Sequence, residues 1–321
     1  MRGVLWSQAG GPDTLAARDG DDVHAAGGQV RVRTEASPVL WVETQMRAGL
    51  VPSPAAPPTV FGSQAVGLVD EVGDGVDPQL IGTRVAVSGV GIGAHAEFVC
   101  AAVEQCVAVP DAIGAVDAAV ALTGLPVALA LLERAGDLSD ATVLVEAAGS
   151  GIGAYLTQLL RGRAGLVVAT AGSDESRTRA ASFGADVVLD HADLDRPGAL
   201  AAAAGGRTID AAFDSIGGST ARRVLDALTP LRGQLLSYGM LSGEAPRIAA
   251  ADLYAGGYTV TACAGPAWLD RVAALRSIAL DRVAGGTVRP VFDSTMPLDA
   301  VATAHRRIDE RATSGTIVLV P

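Results

Sequence analysis

Between Val143 and Gly153 the chain reads VLVEAAGSGIG, with TQLL following at 157–160. An apolar, β-branched run enters a turn with glycines at 149, 151 and 153, and helix-favouring residues from Ala154 to Leu160 leave it. This segment restricts the possible folds most. Glycines let the backbone turn sharply and approach a bound group closely. The helix N-terminus then offers unpaired N–H groups and a positive dipole end, which suit a pyrophosphate. A second apolar run, Leu166–Ala169, returns at the spacing of a βαβ unit. The segment therefore predicts the first unit of a dinucleotide-binding domain over the plainer reading of an ordinary strand–helix turn.

The rest of the chain divides by texture. From Ala118 onward, helix and strand alternate. Helical pattern covers Asp117–Arg134, and strands are predicted at Thr142–Glu146, Leu166–Thr170, Asp186–Leu189, Ala211–Asp214, Gln234–Tyr238 and Tyr258–Ala262. Six strands with helices between them predict an α/β fold, a doubly wound parallel sheet of Rossmann type. Residues 1–120 instead read as short β runs at Gln29–Thr34, Ala65–Val72, Thr83–Ser88, Ala96–Ala101 and Cys106–Val109, separated by turn signals such as GDGVDP at 73–78. The tail, 267–321, reads as one long helix, a short strand, another helix and a final strand. The expected organisation is a mostly β domain over 1–120, a nucleotide domain over 121–266, and a tail over 267–321.

With 321 residues, more than one core is expected. The net charge of −11 and the lack of a basic run argue against nucleic acid and anionic membrane as partners. No segment is expected to approach the ~20 apolar residues of a membrane span, and MRGVLWSQAGGPD lacks the apolar core of a signal peptide. A soluble, cytoplasmic protein is the expectation. Cys100, Cys106 and Cys263 have no zinc spacing and are read as reduced and mostly structural, and His24, His95, His191 and His305 form no ligand pair, so no metal is expected. The chain has neither lysine nor asparagine. That excludes a Schiff-base lysine and leaves arginine as the fixed side-chain cation.

Eight segments carry a resemblance that runs nearly end to end. They are ASPVLWVETQMRAG (36–49), FGSQAVGLVDEVGDGV (61–76), AHAEFV (94–99), AAGSGIG (147–153), FGAD (183–186), FDSIGG (213–218), LLSYG (235–239) and RATSGTIVLVP (311–321). The chain resembles the zinc-independent medium-chain dehydrogenase/reductases, of the quinone oxidoreductase (zeta-crystallin-like) and enoyl reductase branch. The resemblance implies a GroES-like catalytic domain completed by the tail, a homodimer, and NADPH held between that domain and the nucleotide domain. It implies hydride transfer to an enone, quinone or enoyl thioester.

The same resemblance assigns site residues and exposes departures. The stretch facing the nicotinamide has Leu40 in place of an asparagine and Gln45 in place of a tyrosine, and Val51 replaces a second tyrosine. Gln64 replaces a glutamate, and Pro126 stands where a threonine lies near the nicotinamide phosphate. Leu40, Trp41, Gln45, Val51 and Gln64 are the expected substrate-pocket residues. Gly149, Ser150, Gly151, Ile152 and Gly153 would hold the pyrophosphate, with Ala148 and Ser150 standing where glycines are common. Thr170, Gly172, Ser173, His191, Ser215, Gly239 and Pro126 complete the cofactor set. The strand ending at Thr170 has no acid before Asp174, so Ser173 and Arg177 are expected to select NADPH about tenfold or better over NADH, as charge-assisted hydrogen bonds to phosphate allow. The family's lysine falls at Ser176, so Arg177 must substitute for it. Trp41 is expected as a core or lid residue, His95 as a surface histidine, Glu43 as structural and Asp214 as the fixer of its adjoining loop. No catalytic residue is assigned, because a water or ribose hydroxyl can supply the proton in such reductases. Two other readings stay open: non-redox cyclisation or isomerisation on this fold, and a nucleotide-binding pseudo-enzyme.

Overall fold

The computed structural model describes residues 1–88, 93–196 and 198–321. They divide into two compact units, Met1–Thr123 with Arg276–Pro321, and Gly124–Leu275. In chain order the first unit opens with β1 (Arg2–Trp6), β2 (Leu15–Asp19), β3 (Gln29–Pro38), α1 (Trp41–Ala48), β4 (Thr59–Val60), β5 (Gln64–Val72), β6 (Arg84–Ser88), β7 (Phe98–Ala102) and β8 (Cys106–Ala108). The helix α2 (Ala115–Ala135) runs from the first unit into the second. The second unit continues with β9 (Thr142–Val145), α3 (Gly151–Leu160), β10 (Leu166–Ala171), α4 (Asp174–Phe183), β11 (Val187–Asp190), α5 (Ala199–Ala203), β12 (Ala211–Asp214), α6 (Gly218–Asp226), β13 (Gln234–Ser237), α7 (Ala250–Gly256), β14 (Thr259–Ala262) and α8 (Pro266–Ala274). The chain ends with α9 (Arg276–Ala284), β15 (Phe292–Pro297), α10 (Val301–Asp309) and β16 (Thr316–Val320).

In the second unit six parallel strands lie in the order β11-β10-β9-β12-β13-β14. The strand order reverses between β9 and β12. Such a reversal opens a crevice at the carboxyl ends of the strands, where ligands of doubly wound sheets bind. The strands are near-continuous apolar runs because helices cover both faces of a parallel sheet. Leu144, Val168, Ala212 and Leu235 from the sheet pack with Ala221, Val224 and Leu225 of α6 in one buried cluster.

The first unit is a GroES-like fold. Its larger sheet runs β15-β16-β3-β5-β6-β8, with β7 also pairing β3, and a smaller sheet runs β2-β1-β4. The last strand, β16, pairs antiparallel with β3, so the tail completes this unit. Two cores fill it. One gathers Val4, Trp6, Phe61, Val301 and Ile317, and the other Val30, Val32, Val85, Val87 and Val99.

Two expectations need correction. The helix α2 is 21 residues long with a mean hydropathy of 2.0, so one segment is long and apolar enough to span a bilayer. In its most apolar window 61% is buried, which is how a helix apolar on all sides behaves inside a protein core. The expected single tail helix is two, α8 and α9, which break at Leu275, where the division between the units also falls.

Candidate functional site

In the second unit the expected cofactor residues meet at one end of the sheet. Gly149, Ser150, Gly151, Ile152 and Gly153 follow β9. Thr170, Gly172 and Ser173 end or follow β10, His191 follows β11, Ser215 follows β12, and Gly239 follows β13. Each lies at the carboxyl end of its strand. Ser150 is the N-cap of α3, yet its hydroxyl caps no amide. Helix geometry leaves the first-turn amides of Gly151, Ile152 and Gly153 without intrahelical acceptors. Two glycines are dictated by packing. A Cβ on Gly153 would sit 2.6 Å from the Ala147 carbonyl oxygen, and one on Gly149 would sit 2.6 Å from that of Ser176. Ala147 itself holds φ +50, an uncommon value away from glycine. An anion can thus approach bare backbone amides at a dipole end, and these residues fit a pyrophosphate. Pro126 lies buried inside α2 and has no N–H to offer a phosphate.

The next turn carries the charge. Ser173 caps α4 by accepting from the Ser176 amide at 3.2 Å. Arg177 pairs with both Asp174 and Asp190 through separate guanidinium nitrogens. His191 Nδ1 lies 2.9 Å from Thr170 Oγ1. Sequence reasoning undervalued Arg179, whose Nε donates to the Gly149 carbonyl at 3.0 Å and whose Nη2 donates to Ser176 Oγ at 2.9 Å. It ties the glycine turn to α4.

Beneath the crevice lie acids. Asp214 Oδ1 accepts from the amides of Ile216 and Gly217 at 3.0 and 2.8 Å, the loop-fixing role expected of it. Glu146, one residue beyond β9, is fully buried. Burial and the neighbouring Asp214 push its carboxyl well above the usual range. Burial also pushes the Tyr238 phenol up, and its hydroxyl lies buried beside Ser215. Glu146 was not singled out as a site residue, and its adjacency to the glycine turn was the available signal.

In the first unit, Glu43 organises the expected substrate residues. Its Oε2 accepts from the Leu40 amide at 2.8 Å and its Oε1 from the Ser63 amide at 2.7 Å. One carboxylate thus pins Leu40, which caps α1, beside the start of β5, where Gln64 lies. Leu40, Gln45, Val51 and Gln64 are half-buried, and Gln64 Oε1 has no partner. Trp41 is 42% exposed, so of the expected core or lid placements the core one is excluded. His95 is fully buried, which corrects the expectation of a surface histidine. Its Nδ1 lies 2.7 Å from Ser37 Oγ and its Nε2 3.4 Å from Glu43 Oε2. Burial pushes Glu43 up, but the His95 charge and the hydrogen bonds outweigh it and hold the carboxylate below its usual range. Burial pushes the Cys106 and Cys263 thiols up to about 11, so neither is a ready nucleophile. Among the described residues no group of three or more His, Cys, Asp or Glu could hold a metal ion.

Comparison with known proteins gives a consistent set of likenesses. The alcohol dehydrogenase GroES-like domain family matches residues 26–111, and the zinc-binding dehydrogenase family matches residues 151–280. A quinone oxidoreductase of Pseudomonas aeruginosa is 30% identical over 99% of each chain. A 2-haloacrylate reductase of a Burkholderia species is 29% identical over 97% of this chain and 96% of its own. The structure of the Escherichia coli quinone oxidoreductase complexed with NADPH superposes with a TM-score of 0.88 over the full length of both chains at 25% identity.

Proposed function

Because the chain belongs to the quinone oxidoreductase branch of the medium-chain dehydrogenase/reductases, we propose that it is an NADPH-dependent, zinc-independent reductase of conjugated carbonyl compounds. The substrate class is an enone, quinone or enoyl thioester with a bulky apolar body. The observation that carries the cofactor assignment is the open first turn of α3 at the point where the strand order reverses, with Gly149 and Gly153 where no side chain fits. The NADPH bound by the Escherichia coli relative supports it.

Bound there, NADPH would supply hydride from its nicotinamide C4 for the β-carbon of the acceptor, with water or a ribose hydroxyl supplying the proton at the α-carbon. The chain's share is to hold and orient. Gly149, Ser150, Gly151, Ile152 and Gly153 take the pyrophosphate on backbone amides. Thr170, Gly172, Ser173, Arg177 and His191 would hold the adenosine ribose and its phosphate. Ser215, Gly239 and Pro126 serve the nicotinamide end, Pro126 by packing alone. Leu40, Trp41, Gln45, Val51 and Gln64 contact the substrate. Leu40 and Val51 give that wall little hydrogen-bonding capacity, and each buried substrate methylene is worth about 0.8 kcal/mol. Enones of increasing apolar size, with NADPH oxidation as the readout, test this. A kcat/KM that rises with size, and that Leu40→Asn flattens, agrees with the reading. A value that falls with size removes the apolar-substrate assignment.

We assign the working form as a cytoplasmic homodimer. The edge strand β14 leaves one side of the nucleotide sheet unpaired. Leu231 is 86% exposed at φ +67, and Tyr254 is 89% exposed. Exposed apolar side chains and an unpaired edge support pairing with a second copy across a two-fold axis.

A further inference from the structure

We infer that Asp190 sets the cofactor preference by occupying Arg177 in place of the cofactor's 2′-phosphate. The inference rests on the nucleotide-binding reading above and concerns the same pocket. The expectation of a tenfold NADPH preference assumed an unengaged Arg177. In the structure two carboxylates already hold that guanidinium. They are unequal. Asp174 is 98% exposed at the start of α4, so its ion pair is solvated and weak. Asp190 is 38% exposed, and its other oxygen accepts from the Ala192 amide at 2.9 Å. That bond fixes Asp190 at the end of β11 with one oxygen on Arg177. The Ala192 amide, together with Arg177 and His191, holds its carboxyl below the usual range, so it stays ionised.

A carboxylate fixed on a guanidinium takes one of its donors and offsets the charge that would attract a phosphate. For Arg177 to hold a 2′-phosphate, it must either leave Asp190 or share its guanidinium with it, and in both cases the carboxylate repels the incoming dianion. NADH, with a ribose hydroxyl at that place, meets no such competition. The acidic first turn of α4, with Asp174 and Glu175, adds to the bias. Arg179, the next cation along the helix, is engaged with the Gly149 carbonyl, Ser176 and Glu175, and so does not replace Arg177. The wild-type preference for NADPH over NADH is therefore below tenfold, and Asp190 is the residue that limits it.

The experiment is calorimetric titration of the full chain with NADPH, NADH and adenosine 2′,5′-bisphosphate, with no turnover involved. Asp190→Asn keeps an oxygen for the Ala192 amide and removes the charge. It is expected to tighten NADPH and the bisphosphate about tenfold, as one released charge-assisted hydrogen bond allows, and to leave NADH unchanged. Asp190→Ser repeats the change with a different side chain. Asp174→Asn changes the ratio less than about twofold, because its partner is a solvent-exposed carboxylate. Arg177→Ala brings NADPH down to the NADH level or below, and in that background Asp190→Asn tightens NADPH by less than it does with Arg177 present. An unchanged NADPH-to-NADH ratio in folded Asp190→Asn and Asp190→Ser proteins overturns the inference alone. Binding of neither dinucleotide by any of these proteins overturns the nucleotide-binding reading and this inference with it.

Discussion

His305 and Glu146 are buried ionisable groups that set opposite flanks of a stability profile. Burial pushes the His305 imidazole from 6.5 down to about 3, and neither ring nitrogen has a hydrogen-bond partner. Below pH 6.5 the unfolded chain takes up a proton that the folded chain refuses, so stability falls as pH drops through that window. Glu146 works the other way. Its folded-state value lies well above 4.5, so the folded protein keeps a proton that the unfolded chain has released. Stability therefore falls as pH rises from 4.5 through the folded-state value. Urea midpoints across this range should show His305→Leu flattening the acid side and Glu146→Gln the alkaline side. His305→Leu should also gain about 1–3 kcal/mol, the usual cost of a buried polar group without full pairing, whereas Glu146→Gln keeps a buried polar group and removes only the pH dependence. Variant profiles parallel to the wild type would contradict the assignment. These positions show why residue roles were the least legible part of the sequence. His95 sits in AHAEFV with nothing nearby to announce Ser37 and Glu43, which come from distant segments. Its burial is a property of the assembled sheets. Asp214 was readable because its partners, Ile216 and Gly217, are its chain neighbours.

The glycine turn makes the element-scale prediction. Gly153→Ala drives a methyl group to within 2.6 Å of the Ala147 carbonyl and 2.8 Å of that of Glu146. Such overpacking costs about 1–3 kcal/mol and must shift the start of α3. A shift that removes one amide contact loosens NADPH about tenfold or more, since a hydrogen bond to a charged group is worth about 1.5–3 kcal/mol. Gly162→Ala is the control, because φ +68 strains it while its surroundings are open. It should lower the thermal midpoint and leave NADPH affinity alone. Equal affinity in Gly153→Ala and wild type would mean that the turn does not hold the pyrophosphate. The six strands of the nucleotide sheet were readable because runs such as TVLV and LVVATA carry their burial in their own composition. The helix α1 was less so. Its N-cap is Leu40, whose side chain caps nothing, and the Glu43 bond to the Leu40 amide takes that place. β1 and β2 also escaped notice, since RGVLW and LAARD are short and become strands by pairing with each other.

At the scale of the whole molecule, the tail's return was legible as far as TIVLVP reads as a strand. Its partner was not, because nothing local says that β16 pairs with β3, some 280 residues earlier. The homodimer belongs at this scale as well. Light scattering at micromolar concentration should report twice the 32.3 kDa chain mass, and a charged residue in the edge strand, Thr261→Lys, should shift it towards the monomer. A wild-type monomer would remove the assembly from the account. The central claim is hydride transfer to a conjugated carbonyl, and isotope transfer tests it most directly. NADPH deuterated at C4 is incubated with the protein and a bulky enone, and the reduced product is isolated. The account predicts deuterium at the β-carbon, one per NADPH consumed, with solvent hydrogen at the α-carbon. Tight NADPH binding with no deuterium in any product, across enones, quinones and enoyl thioesters alike, would contradict it.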